Sequence, residues 1–231
     1  MQYQIKRKIN KVDSQQFRNL LIPEIDSVLN EAMDIFIKIV AFPRIRTQLG
    51  FEKTQRTIDD IRSLVESEHN PTNQFDIENS ISVLPDDYKF YISSHVIITK
   101  GDCEAKVDTS IVQHDDNSES NSHYKSSFEW RKVNAEFNSE GIRFYNDGSF
   151  ETEKFCLSYI RKPKYIHNAE DFTSTGYKLP SGEIVSGKQD CELPEHTHGE
   201  IIDIAAMILS GEMNNPGVEF AMAKLKLNQL N

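Results

Sequence analysis

Cys191, His196 and His198 stand on a C-x4-H-x-H spacing, the one place in this sequence where the residue types of a zinc site come close together. Zinc takes thiolate sulfur and imidazole nitrogen and is usually closed by a fourth ligand. Glu195 and His167 are the available candidates, but nothing in the spacing brings them in. Residues two apart at a helix start do not face the same way, so a helix terminus without metal is the favoured reading. Replacing both histidines by Ala is then expected to leave stability and metal content unchanged.

Nucleophilic and phosphate chemistry find less. The sequence holds no G-x-S-x-G turn, no Walker A motif and no G-x-G-x-x-G after a strand. Cys156 falls inside an apolar alternation, where a small buried hydrophobe is expected. The acid pairs Asp59-Asp60, Asp86-Asp87 and Asp115-Asp116 are adjacent, which suits solvated faces and turns better than a catalytic dyad. Trp130 reads as a core or subunit-contact aromatic in preference to a stacking platform. No catalytic, cofactor or metal residue is assigned, and an enzyme is not expected.

The elements that would position any site follow from composition and period. The chain has 231 residues, 38% hydrophobic and 27% charged, with 13 Phe and 8 Tyr, enough apolar surface for a buried core. Net charge is −10, from 36 acidic and 26 basic residues, which argues against a chain that grips duplex DNA over its whole surface. Small basic clusters remain at Lys6, Arg7, Lys8 and Lys11 and at Arg161, Lys162 and Lys164. Three cysteines, an odd and sparse set, suit a reducing compartment. No run has the length to cross a bilayer and no secretory leader is expected.

A 3.6-residue period runs from Asp13 to Ala41, interrupted by Pro23, so a kink or a second helix with Pro23 in its first turn is expected. A helix is expected from about Lys53 to Ser67. Strands follow at Tyr88–Thr99 and Ala105–Val112, with a polar loop over Gln113–Ser122. Gly141–Tyr145 and Ser149–Thr152 flank Asn146-Asp147-Gly148, a hairpin signal, and Phe155–Arg161 alternates as a further strand. After an irregular stretch, a helix opens near Pro194 and stops at Gly211, and a last one spans about Pro216–Leu230. The expected fold is α+β: an N-terminal helical pair, a central antiparallel β module and C-terminal helices. The corresponding divisions of one domain, 1–231, are 1–70, 84–163, an irregular linker 164–192, and 193–231.

Several segments, in order, carry a resemblance. VLNEAMDIFIKIVAFPRIRTQLGFEKTQRTIDDIRSLV, then LPDDY opening into a strand, then LSYIRKPKYI, then CELPEHTHGEIIDIAAMILSGEMNNPGVEFAMAKLKLNQLN resemble the neck or connector ring proteins of crAss-like tailed phages of Bacteroidales. The likeness spans nearly the whole chain, through individually degenerate motifs. It implies a dodecameric, ring-forming head-to-tail connector between portal and tail, with partners in other copies of itself, the portal and further neck or tail ring proteins. It further implies a place in the virion after assembly in the host cytoplasm, and genomic DNA passing through the lumen without sequence-specific binding. An acidic protein would let DNA slide through a channel instead of holding it. No cofactor and no membrane partner is implied.

A closed ring of heterologous contacts needs two different faces per subunit. The candidate faces are Val28, Leu29, Ile35 and Phe36 on the first long helix, and Phe220, Met222, Leu225 and Leu227 on the last. Intramolecular core competes with this role at both. Three other readings stay open: a tail-tube, tail-hub or other tail subunit; a virion-associated enzyme such as a cell-wall hydrolase; and a binding module unrelated to phage.

Overall fold

A β unit, Leu64–Lys162, is inserted into a helical unit made from both ends of the chain, Met1–Ser63 and Pro163–Asn231. The computed structural model describes residues 1–12, 20–41, 59–69, 75–76, 80–112, 126–173, 176–179, 182 and 184–212. The insertion leaves and re-enters at neighbouring points because its first and last strands pair side by side, Val65 opposite Ile160. The architecture is α+β as expected.

In the helical unit, α1 (Gln2–Val12), α2 (Ile22–Ala41) and α3 (His198–Glu212) pack on one another. Pro23 does sit in the first turn of α2, where its missing N–H costs nothing. Three residues after Leu21, Glu24 accepts the Leu21 N–H through Oε2 at 3.0 Å, one half of a capping box. The buried stripe of α2 is Ile25, Val28, Leu29, Ala32, Met33, Phe36 and Ile37, facing Ile201, Ile202, Ile204, Ala205 and Leu209 of α3. Helix α1 was not foreseen; Ile5 is its buried anchor. Helix α3 runs on through Gly211 to Glu212 instead of stopping there.

Between residues 163 and 192, expected to be irregular, lie two short antiparallel ladders. One pairs β9 (His167–Asn168) with β12 (Lys188–Gln189), and the other pairs β10 (Tyr177–Lys178) with β11 (Ile184–Val185). Ala169, Leu179 and Val185 form a small apolar cluster beneath them, too sparse to give a sequence period.

In the β unit, eight strands form one sheet: β1 (Val65–His69), β2 (Phe75–Asp76), β3 (Ile81–Ser82), β4 (Tyr88–Lys100), β5 (Cys103–Ile111), β6 (Val133–Phe137), β7 (Ile142–Tyr145) and β8 (Glu151–Arg161). Their spatial order is β1-β8-β4-β5-β6-β7-β3-β2, antiparallel except for the β5–β6 pair. In a flat sheet, β7 and β8, four steps apart, would be separated by about 19 Å. Yet the rings of Phe144 on β7 and Phe155 on β8 lie 4.9 Å apart. The sheet therefore curls over its own core, which gathers Val96, Ile98, Val107, Val133, Ala135, Ile142, Phe144, Phe155, Leu157 and Tyr159 from five strands. Register shifts along the β4–β8 ladder at Tyr88/Phe90, Tyr91/Ser93 and Ile97/Ile98 supply the bending.

Two expectations are corrected in this unit. The second helix does not run to Ser67: residues 59–61 are helical, Arg62–Leu64 tighten into a 3-10 turn, and Val65–His69 leaves as an edge strand. Pairing of Val65 and Glu66 with Ile160 and Tyr159 outweighs the local helical period. Nor do the segments around Asn146-Asp147-Gly148 form a hairpin. Strand β7 pairs with β6 and β3, while β8 pairs with β1 and β4. The turn itself is made as its residues suggest, with Gly148 at φ +75° and Asp147 Oδ1 accepting the Ser149 N–H at 2.9 Å. It passes the chain between distant positions of the curled sheet because aromatic burial on both sides wins over local pairing. The expected loop Gln113–Ser122, the start of the second helix and the helix Pro216–Leu230 lie outside the described residues.

Phe155→Ala should cost about 3–5 kcal/mol, because a large ring at the centre of the curl leaves a cavity that flanking strands cannot close. Urea unfolding measures it, and a loss under about 1 kcal/mol would show that the ring contact carries little. Phe36→Asp should prevent folding of the helical unit, with loss of helical circular dichroism as its sign.

Candidate functional site

The most heavily engaged polar residues lie on α2. Asp26, fully buried, accepts hydrogen bonds from the Gln2 side chain of α1, from the Asn168 backbone N–H at 2.9 Å, and from the Tyr177 hydroxyl at 2.6 Å. One turn on, Asn30 pairs with Ile166 as a strand would: its Nδ2 donates to the Ile166 carbonyl at 2.9 Å, and its Oδ1 accepts the Ile166 N–H at 2.7 Å. Helix periodicity puts Asp26 and Asn30 on one face, and together they clamp the β9–β10 region to α2. Burial, and then the bond to Asp26, pushes the Tyr177 hydroxyl well above its ordinary range, so it donates at all working pH. The arrangement ties α1, β9 and β10 to α2.

A row that sequence reading had not joined crosses the outer face of the β unit. His95 on β4 stands opposite Cys156 on β8 and opposite Asp108 on β5, giving Cys-His-Asp across three adjacent strands. The order suggests a nucleophile, base and orienting acid, but the electrostatics do not. Burial first, then the Lys106 ammonium, lowers the His95 value, while Glu68 and Asp108 raise it less. Burial pushes the Cys156 thiol up. An activated pair needs the opposite, a depressed thiol beside a readily protonated imidazole. Both shifts favour the neutral thiol and the neutral imidazole. Only strand register, which crosses 61 residues between His95 and Cys156, could have revealed the row.

The C-x4-H-x-H residues go separate ways. His196 Nε2 lies 2.8 Å from Oδ1 of the buried Asp60, and His198 Nε2 donates to the Leu193 carbonyl at 3.0 Å. Burial raises the Cys191 thiol, and the nearby Glu192 and Asp190 add to this. His167 is half-buried with Nδ1 lacking a hydrogen-bond partner, and Glu195 is exposed. Among the described residues no group of three or more His, Cys, Asp or Glu could hold a metal ion. None of the described helices is long and apolar enough to cross a membrane.

Of the proposed subunit-contact residues, Val28, Leu29 and Phe36 are buried inside the helical unit and Ile35 is half-buried. Phe220, Met222, Leu225 and Leu227 lie outside the described residues. Trp130, expected in a core or contact, is 78% exposed at the tip of a turn closed by the Ser127–Lys132 bridge. The neighbouring Arg131 takes a left-handed φ of +46° there, and Phe128 turns inward against the core.

A second fastener group secures the β unit. Asp87 accepts the Tyr159 hydroxyl at 2.9 Å through its carboxylate and the Lys162 N–H at 2.6 Å through its carbonyl, while Lys162 Nζ donates to the Asp86 carbonyl at 3.0 Å. Arg161 pairs with Glu66 at 3.5 Å. No protein-family model matches the chain, and no curated protein matches it in sequence.

Two predictions follow from these bonds. The expectation that His196 is dispensable is revised: His196→Ala leaves the Asp60 carboxylate without its partner and should cost about 1 kcal/mol, with His198→Ala milder because only a carbonyl is released. Equal stabilities for His196→Ala and the parent in urea would show that the pair contributes nothing. Burial, helped by the Asp87 bond, pushes Tyr159 up to about 12. A raised value gives stability that is complete below about pH 10, where unfolded tyrosine ionises, and that falls as pH climbs toward the folded value. Tyr177 acts in the same direction. Urea midpoints between about pH 9 and 11 should therefore decline, less steeply in Tyr159→Phe. Identical slopes would contradict this account.

Proposed function

We propose that this chain is a virion structural protein, the subunit of a ring-forming head-to-tail connector that sits between portal and tail and lets DNA pass. It acts through assembly with copies of itself, the portal and other neck or tail rings, and is assembled in the host cytoplasm. The observation that carries the proposal is where the resembling segments meet. Asn30, from VLNEAMDIF, is bonded to Ile166, from LSYIRKPKYI. Asp86 and Asp87, from LPDDY, are bonded to Tyr159 and Lys162 of that same LSYIRK run. Asp60, from TIDDIRSL, is bonded to His196, from CELPEHTHGE.

Several residues of the resembling segments thus fasten stretches distant in sequence, beside the Asp26 group, which lies outside those segments. A likeness confined to surface composition would not gather at such positions. Strong polar fastening, with the Cys156–His95–Asp108 row among the described residues holding no activated nucleophile, also favours a structural part over a catalyst.

The test is quantitative peptide mass spectrometry on purified virions, giving copy number relative to the portal. A ratio near one supports the connector reading. A clearly different ratio moves the chain to the tail-tube or tail-hub alternative. Absence from virions overturns the structural reading.

A further inference from the structure

Helix α1 carries an exposed cationic and aromatic face. Tyr3 is 77% exposed, and Lys6 and Arg7, three and four positions on, are exposed beside it. The buried side chain of α1, Ile5, points roughly the opposite way, and Lys8 is already paired with Asp203. No carboxylate pairs with Lys6 or Arg7 among the described residues. At one end of the β unit the situation is reversed. Glu104 on β5 and Glu151 on β8 stand on either side of Thr99, with Asp102 in the β4–β5 turn and Glu153 beside them. All four are exposed, and no cation pairs with any of them among the described residues. Lys100 and Lys154 share this region and leave it net acidic.

We infer that the Tyr3–Lys6–Arg7 face of one copy docks on the Asp102, Glu104, Glu151 and Glu153 end of a second copy. This rests on the ring-subunit reading and names the two faces of its repeating contact. Neither charge set is satisfied among the described residues, so each can be neutralised in trans. The two surfaces differ, as a heterologous contact requires. Tyr and Arg are the types enriched in protein–protein contacts. Nucleic acid is the weaker fit, since two described cations neutralise at most two phosphates on a chain of net charge −10.

The test uses the full chain and two charge-reversed variants, Lys6→Glu/Arg7→Glu and Glu104→Lys/Glu151→Lys, with assembly followed by sedimentation velocity and mass photometry. Each variant alone should need about tenfold or more protein to assemble, because like charges then meet. An equal mixture should regain parental assembly, because every contact in an alternating ring is again complementary. Only a contact between copies predicts rescue by mixing. Tyr3→Ala, which leaves charge unchanged, should weaken assembly in the same assay, and circular dichroism verifies that all variants fold.

Assembly of the parent with no effect of either reversal overturns this inference and leaves the connector reading standing. Loss in both variants without rescue on mixing also overturns it. A parent that stays monomeric at high concentration overturns this inference and the ring reading together. A monomeric parent that binds a fluorescent single-stranded oligonucleotide, with binding lost in Lys6→Glu/Arg7→Glu, assigns the face to nucleic acid instead.

Discussion

The helical unit is organised around a buried carboxylate that pairs with no cation among the described residues. Asp26 is fully inaccessible, and its partners are an amide side chain, a backbone N–H and a phenol. Burying a charge is costly unless donors converge on it in good geometry. Here the donors come from α1, β9 and β10, so three segments far apart in sequence must arrive together for α2 to keep its charge buried. That requirement couples the N-terminal helix to the 163–192 stretch. It also explains how a region with so little apolar content of its own holds a defined course. Asn30 extends the same logic by giving Ile166 the two backbone bonds it would otherwise find in a sheet.

The β unit solves its packing problem differently. Its described residues give one sheet, which buries its apolar face by closing on itself. Long β4 and β8 and their register shifts allow this, and facing aromatics fill the interior: Phe144 on Phe155, and Tyr91 edge-on to Phe137 at 5.5 Å. Gly141 is placed by the same closure. At φ +146° its backbone comes so near β3 that a Cβ would lie 2.1 Å from the Ser82 carbonyl oxygen. Among the buried polar groups of this unit, Ser94 bonds both Thr109 and the Tyr91 hydroxyl, while Ser82 Oγ, Asn134 Oδ1 and Thr152 Oγ1 have no hydrogen-bond partner among the described residues.

What the sequence made legible divides along physical lines. Period and β-branched runs located α2, β4, β5, the second part of β8 and α3, because in each the local preference and the buried face agree. The end of the second helix and the turn at Asn146-Asp147-Gly148 were misread because partners distant in sequence decided them. Helix α1 left a usable trace, since Ile5, Ile9 and Val12 fall at i, i+4 and i+7, though the four basic residues between them make the stretch strongly polar. Asp26 and Asn30 also left one. They continue the stripe of Met33 and Ile37 toward the helix start, so polar residues stand where the period demands apolar ones. The His95 row left none, because only register aligns it.

The fasteners also have a common location. The chain passes between its two units at 63–64 and 162–163. Asp60, Glu66, Tyr159, Arg161, Lys162 and Ile166 all lie within four residues of one of these crossings, and each is tied by a polar bond inside its own unit. Apolar packing alone would tolerate small slips of register at such points, since it is non-directional. Hydrogen bonds and ion pairs have narrow geometry, and a buried one left unmade is penalised. Placing them at both exits fixes where each unit begins and ends. Directional bonds at these two crossings define position more narrowly than apolar contacts of equal size, even where those would give more stability.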